Sequence, residues 1–141
     1  MNIDRFKHEH QVILDHIDGL RRLTHAGALS HAADIAHGIV AMSSTIKLHL
    51  AVEDRVLYPA LRQGADGDLA RLGAQFQSEM GTIAATYMDF ARRWNTAEQV
   101  RRDPDGFRAD ANVVLRSVYE RMLREDRDFY PRIEEQELQA A

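Results

Sequence analysis

The sequence predicts an all-α fold, an up-down-up-down four-helix bundle built from two αα-hairpins that repeat about a pseudo-two-fold axis. In four windows of the 141-residue chain, apolar residues recur at spacings of three and four, as on one face of a helix. No window shows the sustained alternation of a β-strand. Two segments of the first half recur about 70 residues later. We expect the four helices to bury one another in a single domain over residues 1–141.

The first two windows predict the first hairpin. The first apolar stripe consists of Ile3, Phe6, Ile13, Ile17 and Leu20, and the second of Ile35, Ile39, Met42, Ile46, Val56 and Leu57. A break near Gly27 separates the two helices. Ser30 is predicted to cap the second helix by accepting hydrogen bonds from its free backbone N–H groups.

The last two windows predict the second hairpin. The third stripe consists of Leu69, Leu72, Phe76, Ile83, Tyr87, Phe90 and Trp94, and the fourth of Phe107, Ala111, Val114, Val118, Met122 and Phe129. Two glycines break the chain at residues 63–67, and Asp68 is predicted to cap the third helix. Asp103-Pro104 is typical of a helix start and predicts the beginning of the fourth. Short links of this kind favour antiparallel neighbours.

An internal repeat relates the two hairpins. Residues 6–13 share Phe, Glu and Ile in place with residues 76–83, at an offset of 70. Residues 53–61 share Glu-Asp-Arg and Tyr-Pro in place with residues 125–133, at an offset of 72. Two matches at nearly the same offset predict that equivalent positions meet at the centre of the bundle.

Composition narrows the classes of function. The chain has 45% hydrophobic and 28% charged residues, a net charge of −4 and no run of Lys or Arg, which argues against nucleic acid as the main partner. Cysteine is absent, so a metal would have to be held by His and carboxylate side chains. The N-terminus has no apolar signal region, and we find no stretch approaching the ~18 apolar residues of a membrane span. We therefore expect a cytoplasmic protein without a membrane partner.

Four polar residues fall on the apolar stripes when each residue is rotated by about 100° around its helix. They are His10 on helix one, His49 and Glu53 on helix two, and Glu125 on helix four. Burying two carboxylates without a partner costs several kcal/mol, and a divalent cation would compensate while accepting both ligand types. A metal-free polar core that includes Arg121 remains the alternative.

These residues resemble the hemerythrin-like, or HHE cation-binding, family. The matching motifs are Glu9-His10, His49-x-x-x-Glu53-Asp54-x-x-Leu57-Tyr58-Pro59 and Glu125-Asp126-x-x-Phe129-Tyr130-Pro131. The resemblance covers about residues 3–135 and implies a non-haem iron site between four helices, in which two carboxylates bridge two metals. Carried over by position, it implies His10 and His49 as terminal ligands of one metal and Glu53 and Glu125 as bridging ligands.

Two residues depart from the family pattern. Met80 and Arg121 stand where the family usually has histidines, and the internal repeat pairs them with His10 and, roughly, with His49. A thioether is a poor ligand for hard iron, and a guanidinium cannot ligate. We therefore predict that one metal half-site is lost, that the site is mononuclear or weak, and that Arg121 replaces the second metal by pairing with Glu125. This argues against reversible dioxygen binding of the two-iron type.

Other polar residues near the stripes are predicted not to bind metal. Glu79 is placed at the flank of its stripe, in a supporting or solvated position. Asp126 is placed on a solvated face. Tyr58 and Tyr130 are assigned to packing, each before a proline expected to kink or end its helix.

Three classes of function follow. The first is a binding protein for iron, with zinc and manganese not excluded, that senses, stores or protects against oxygen or redox species, with dioxygen or another diatomic molecule as partner. The second is an enzyme of peroxide or nitric oxide chemistry, which is disfavoured because no general acid or base is recognisable beyond the ligands. The third is a metal-free bundle acting through partner contacts, with homodimerisation left open.

Overall fold

The computed structural model describes residues 2–140, and every regular element in that range is helical. The elements are α1 (Asp4–Gly27), α2 (Ala32–Val52), the π-helical turn π1 (Glu53–Leu57), α3 (Tyr58–Gln63), α4 (Gly67–Trp94), α5 (Ala97–Arg102), α6 (Pro104–Arg124), the π-helical turn π2 (Glu125–Phe129) and α7 (Tyr130–Ala140). The prediction of an all-α protein is confirmed. The first and last residues of the predicted domain, 1 and 141, lie outside the described range.

The long helices lie beside one another in pairs. Helix α1 packs against α2, and α4 packs against α6. Across these pairs, α2 contacts α4 and α1 contacts α6. Each of the four long helices therefore has two long neighbours, which cover its apolar stripe. The short helix α5, which the sequence did not predict, packs on α2.

The predicted cap of the second helix is wrong. Helix α2 begins at Ala32, and the hydroxyl of Ser30 donates to the carbonyl oxygen of Gly27 instead. Gly27 has a φ of 131°, which only glycine adopts without strain, and the His31 N–H donates to its carbonyl oxygen. The chain thus reverses in a tight turn that leaves Ser30 outside the helix end.

The other two caps are aspartates, one of them displaced from its prediction. Asp66, rather than Asp68, caps α4, because its carboxylate accepts from two backbone N–H groups of the first turn at 3.0 and 3.1 Å. Asp103 caps α6 as predicted and accepts from the Gly106 N–H at 2.9 Å.

Both Tyr-Pro motifs follow a π-helical turn. The Tyr58 N–H donates to the carbonyl oxygen of Glu53, five residues back, and the Tyr130 N–H donates to that of Glu125. The helical run then continues through the proline into α3 and α7. Of the two outcomes expected at the prolines, a kink or a helix end, the helix end does not occur, because a wide turn just before each proline accommodates a residue that has no N–H to donate.

The wide turn also changes which residues point inward. The sequence places Val56 and Leu57 on the same apolar stripe, but Val56 is 50% exposed and Leu57 is fully buried. One extra residue in the turn rotates the stripe, and regular α-helical spacing cannot foresee that shift.

The core consists of two apolar clusters with a polar layer between them. The larger cluster includes Ile13, Ile46, Met80 and Val118, and the smaller one includes Phe6, Leu57, Phe76 and Phe129. Each of the four helical runs passes from one cluster to the other. The buried polar residues at the crossing are His10, His49, Glu53, Arg121 and Glu125.

The continuous run from α2 to α3 qualifies as a candidate membrane span. By length and composition, Ala32–Gln63 could cross a membrane, and 33% of its most apolar window is buried. The expectation that no stretch approaches a span is wrong on this count, since an 18-residue window within the run is apolar and has at most two charged residues. Core helices of water-soluble proteins meet the same criteria, so this run alone assigns no membrane partner.

Candidate metal centre

Four side chains from three helical runs converge in the polar layer. His10 comes from α1, His49 from the end of α2, Glu53 from the first position of π1 and Glu125 from the first position of π2. Each residue is at most 1% exposed. One nitrogen or oxygen atom from each lies within 4.8 Å of the other three. The structure thus brings together all four residues that the sequence singled out.

The converging atoms are two imidazole nitrogens and two carboxylate oxygens. Nε2 of His10 and Nε2 of His49 are 3.1 Å apart. His10 Nε2 lies 3.0 Å from Glu125 Oε1, and His49 Nε2 lies 3.2 Å from Glu53 Oε1. Despite this proximity, neither Oε1 atom has a partner of hydrogen-bond geometry among residues 2–140. Buried carboxylate oxygens in this state are costly unless a cation or proton compensates them.

The other nitrogen of each imidazole contacts an outer carboxylate. His10 Nδ1 lies 2.9 Å from Asp126 Oδ1, and His49 Nδ1 lies 2.7 Å from Glu9 Oε1. An ionised carboxylate only accepts, so each Nδ1–H donates outward and the Nε2 lone pair faces the centre when the imidazole is neutral. Asp126, assigned to a solvated face from the sequence, therefore orients a central imidazole.

Tyr130 also reaches the centre. Its hydroxyl donates to Glu53 Oε2 at 3.1 Å and lies 2.9 Å from His10 Nε2. Burial and the nearby carboxylates Glu53 and Glu125 raise the pKa of the phenol far above its ordinary value, so it stays protonated. The assignment of Tyr130 to packing was incomplete, and the signal available was its place five residues after Glu125.

Tyr58, the counterpart of Tyr130 in the repeat, behaves differently. Its ring stacks on Phe129 with a centroid distance of 6.3 Å, and its hydroxyl has no hydrogen-bond partner in the described part of the chain. Burial and the charges of Glu53 and Glu125 raise its pKa as well. Packing is thus the role that the contacts of Tyr58 support.

Arg121 lies inside the polar layer and is 3% exposed. Its Nε donates to Glu125 Oε2 at 3.1 Å, and Nη2 donates to the carbonyl oxygen of Phe76. Its guanidinium carbon lies 4.3 Å from the Phe76 ring centroid, and Nη1 is 3.7 Å from Glu79 Oε2. The predicted pairing of Arg121 with Glu125 is present, and Glu79 supports the guanidinium from the outside.

The inner groups carry an excess of negative charge when both imidazoles are neutral. Burial raises the pKa of Glu53. When ionised, Glu53 and Glu125 contribute two negative charges, and Arg121 contributes one positive charge. Burial alone lowers the pKa of His10, but its close contacts with Asp126 and Glu125 and the negative charges of these carboxylates outweigh burial and raise that pKa to about 9. The centre therefore attracts positive charge, whether a proton or a metal ion.

The residues present fit a divalent metal. Imidazole nitrogens and carboxylate oxygens together suit iron, zinc or manganese. The two carboxylate oxygens without hydrogen bonds are placed where such an ion would compensate them. The outer carboxylates fix the imidazole tautomer, as they do at metal-binding histidines in general.

Comparison with known families gives one match. The sequence model of the hemerythrin HHE cation binding domain matches residues 1–133. No curated protein and no solved structure gives a significant match. The matched range contains the four central residues together with Glu9, Asp126 and Tyr130.

Proposed function

The chain belongs to the hemerythrin HHE cation-binding family, and from that premise we propose that it is a binding protein for iron, held by His10, His49, Glu53 and Glu125. Its proposed role is to sense, store or protect against oxygen or redox species, with dioxygen or another diatomic molecule as the second partner. We propose a binding role and not an enzymatic one. Its cytoplasmic location is part of the same proposal.

One observation carries the proposal. Four ligand atoms that accept hydrogen bonds or bind metals lie within 4.8 Å of one another between two apolar clusters. When the imidazoles are neutral, lone pairs and negative charges at such distances repel each other, and low local polarity strengthens the repulsion. A divalent cation placed among them would turn the repulsion into attraction.

We propose that the centre holds one metal. Met80 is buried in the larger apolar cluster, where its thioether is a poor ligand for hard iron. Arg121 supplies a fixed positive charge to Glu125 and cannot ligate. The guanidinium thus stands in electrostatically for a second ion, which makes two-iron chemistry unavailable.

The architecture proposed around this centre is one up-down-up-down four-helix bundle with a pseudo-two-fold axis. Support comes from the pairing of the long helices, each with two long neighbours. It also comes from the two π turns, since each begins at a buried central glutamate and is followed directly by Tyr-Pro. Symmetric placement of the two glutamates is what a site between two similar hairpins requires.

The residues around the centre have different roles. Asp126 and Glu9 orient the two imidazoles, and Tyr130 keeps a proton directed at Glu53 Oε2. The two apolar clusters limit access of water. Iron, when bound by His10, His49, Glu53 and Glu125, would supply a change of oxidation state. Zinc and manganese would use the same side chains without the same redox chemistry.

Metal analysis of tag-free protein tests the proposal. When the protein is offered iron, zinc and manganese together, we expect about one iron ion to be bound per chain. Removal of the ion by chelator should lower the thermal midpoint, because an ion that binds only the folded state stabilises it. The double variant Met80→His, Arg121→His should bind about two iron ions per chain. Protein without metal whose thermal midpoint is unchanged by chelator would instead establish the metal-free bundle.

Metal binding should release protons, because His10 has a pKa of about 9 in the metal-free centre. Affinity should therefore rise from pH 6 to pH 9, at most about tenfold per pH unit per proton. A pKa raised by folding also stabilises the metal-free protein below the unfolded value near 6.5, and that stabilisation is lost as pH rises through about 9.

Calorimetry in buffers of different ionisation enthalpy counts the released protons. We expect at least one proton per bound ion at pH 7. Asp126→Asn is the matched control, since it removes one hydrogen bond that raises the pKa of His10 and should reduce the release at pH 8. An affinity that does not change with pH would contradict the assignment of His10 as a ligand.

A further inference from the structure

A cavity lies between α1 and α6, away from the metal centre. Its volume is about 420 Å³, within the range of small-molecule sites. Its polar lining consists of Arg21, Thr24, His25, Arg108 and Asn112. Arg21 is eleven residues beyond His10 on the same helix, which corresponds to about 16 Å at the usual helical rise.

The cavity is lined by basic and neutral groups only. No aspartate or glutamate is among its lining residues, although the whole chain has a net charge of −4. Arg21 and His25 are four residues apart on α1, and Arg108 and Asn112 are four residues apart on α6. Side chains at this spacing share a helix face, so each helix presents a pair of hydrogen-bond donors or cations to the same space.

The two arginines are available to a ligand. Within residues 2–140, no carboxylate lies within ion-pair distance of Arg21 or Arg108, whereas Arg93 and Arg124 are paired with Asp110 and Glu79. The Arg21 guanidinium lies over the Tyr119 ring, 5.0 Å from its centroid, which restricts its orientation before anything binds.

The remaining wall is apolar. Leu115 and Ala111 are buried and line the cavity. The Thr24 hydroxyl donates to the Leu20 carbonyl oxygen at 2.7 Å, so its proton is already used. A ligand that fits these surroundings has an anionic group for the arginine forks and an apolar body for the wall.

We propose that this cavity binds a small organic anion, with a carboxylate or phosphate group held by Arg21 and Arg108 and an apolar body against Leu115. The site is independent of the metal centre, so its success or failure does not bear on the proposed function. The side-chain amide N–H of Asn112 donates to the same anionic group.

Titration calorimetry at low ionic strength tests the site with three probes: inorganic phosphate, phenyl phosphate and benzoate. Phenyl phosphate should bind about tenfold more tightly than inorganic phosphate, because only the former buries apolar surface. Arg21→Gln and Arg108→Gln should each weaken phenyl phosphate binding tenfold or more, the usual size of a lost charged hydrogen bond.

Matched controls distinguish binding at a specific site from non-specific attraction of the anion to arginine side chains. Arg22→Gln and Arg116→Gln remove exposed arginines of the same two helices that do not line the cavity, and they should change affinity less than twofold. The circular dichroism spectrum and the thermal midpoint should stay constant in all four variants, which shows that they fold. Absence of binding by any probe, equal losses in all four variants, or equal affinity for inorganic and phenyl phosphate would each overturn the proposal.

Discussion

Replacing His49 with alanine is expected to reduce the bound metal from about one ion per chain to none after gel filtration. His49 supplies one of two imidazole nitrogens at the centre, and no other histidine among residues 2–140 is buried there apart from His10. Losing an outer hydrogen-bond partner typically lowers metal affinity by about 10–100-fold, and the loss of a ligand should exceed that range. Metal content and a competitive chelator titration measure the effect.

His37→Ala is the matched control for this substitution. His37 lies on the same helix and is exposed, so its variant should keep the wild-type metal content. Because alanine also leaves a cavity at position 49, His49→Gln is a second variant that keeps most of the volume and should lose metal as well. A His49→Ala protein that folds and binds metal with wild-type affinity would exclude His49 as a ligand.

Arg121→Met should destabilise the metal-free protein by about 3–5 kcal/mol, the usual cost of leaving one charge of a buried pair without its partner. The variant leaves Glu125 without the guanidinium, which donates at 3.1 Å, and removes the hydrogen bond from Arg121 to the Phe76 carbonyl oxygen. Urea unfolding monitored by circular dichroism gives the free energy. Metal should restore more stability to this variant than it adds to the wild type, since the variant lacks the fixed charge.

Arg124→Met is the control for Arg121. Arg124 pairs with the same Glu79 at 3.0 Å, but its side chain is 39% exposed, and an exposed pair contributes about 0–1 kcal/mol. If both substitutions cost the same, the guanidinium of Arg121 has no special electrostatic role in the polar layer.

Helical spacing predicted the all-α class and the long helices because the buried residues repeat with little interruption. The stripe of α1 is correct from Ile3 to Leu20, and the same spacing placed His10 inside. It failed at Val56, where a π turn shifts the inward face by one residue. It also missed α5, since a six-residue helix presents too few apolar positions for a period to emerge.

The central residues were predictable and their partners were not. His10 and Glu125 stand out because polar residues on an apolar stripe violate the pattern. Asp126 and Glu9 lie beside such residues on positions that look solvated, and only the packing of a neighbouring helix brings each carboxylate to an imidazole. Pairing between residues 116 positions apart leaves no local trace in a single sequence.

The two π turns bear on how the length of this chain can vary. Inserting or deleting one residue in the regular α-helix on either side of a turn would rotate everything after it by about 100°, whereas each π turn holds one extra residue within its wider loop. Just after the second turn, such a rotation would carry the Tyr130 hydroxyl away from Glu53 and Ile133 out of the smaller apolar cluster. Single-residue insertions and deletions therefore belong in the links at residues 28–31 and 64–66, and within the helical runs in the π turns themselves.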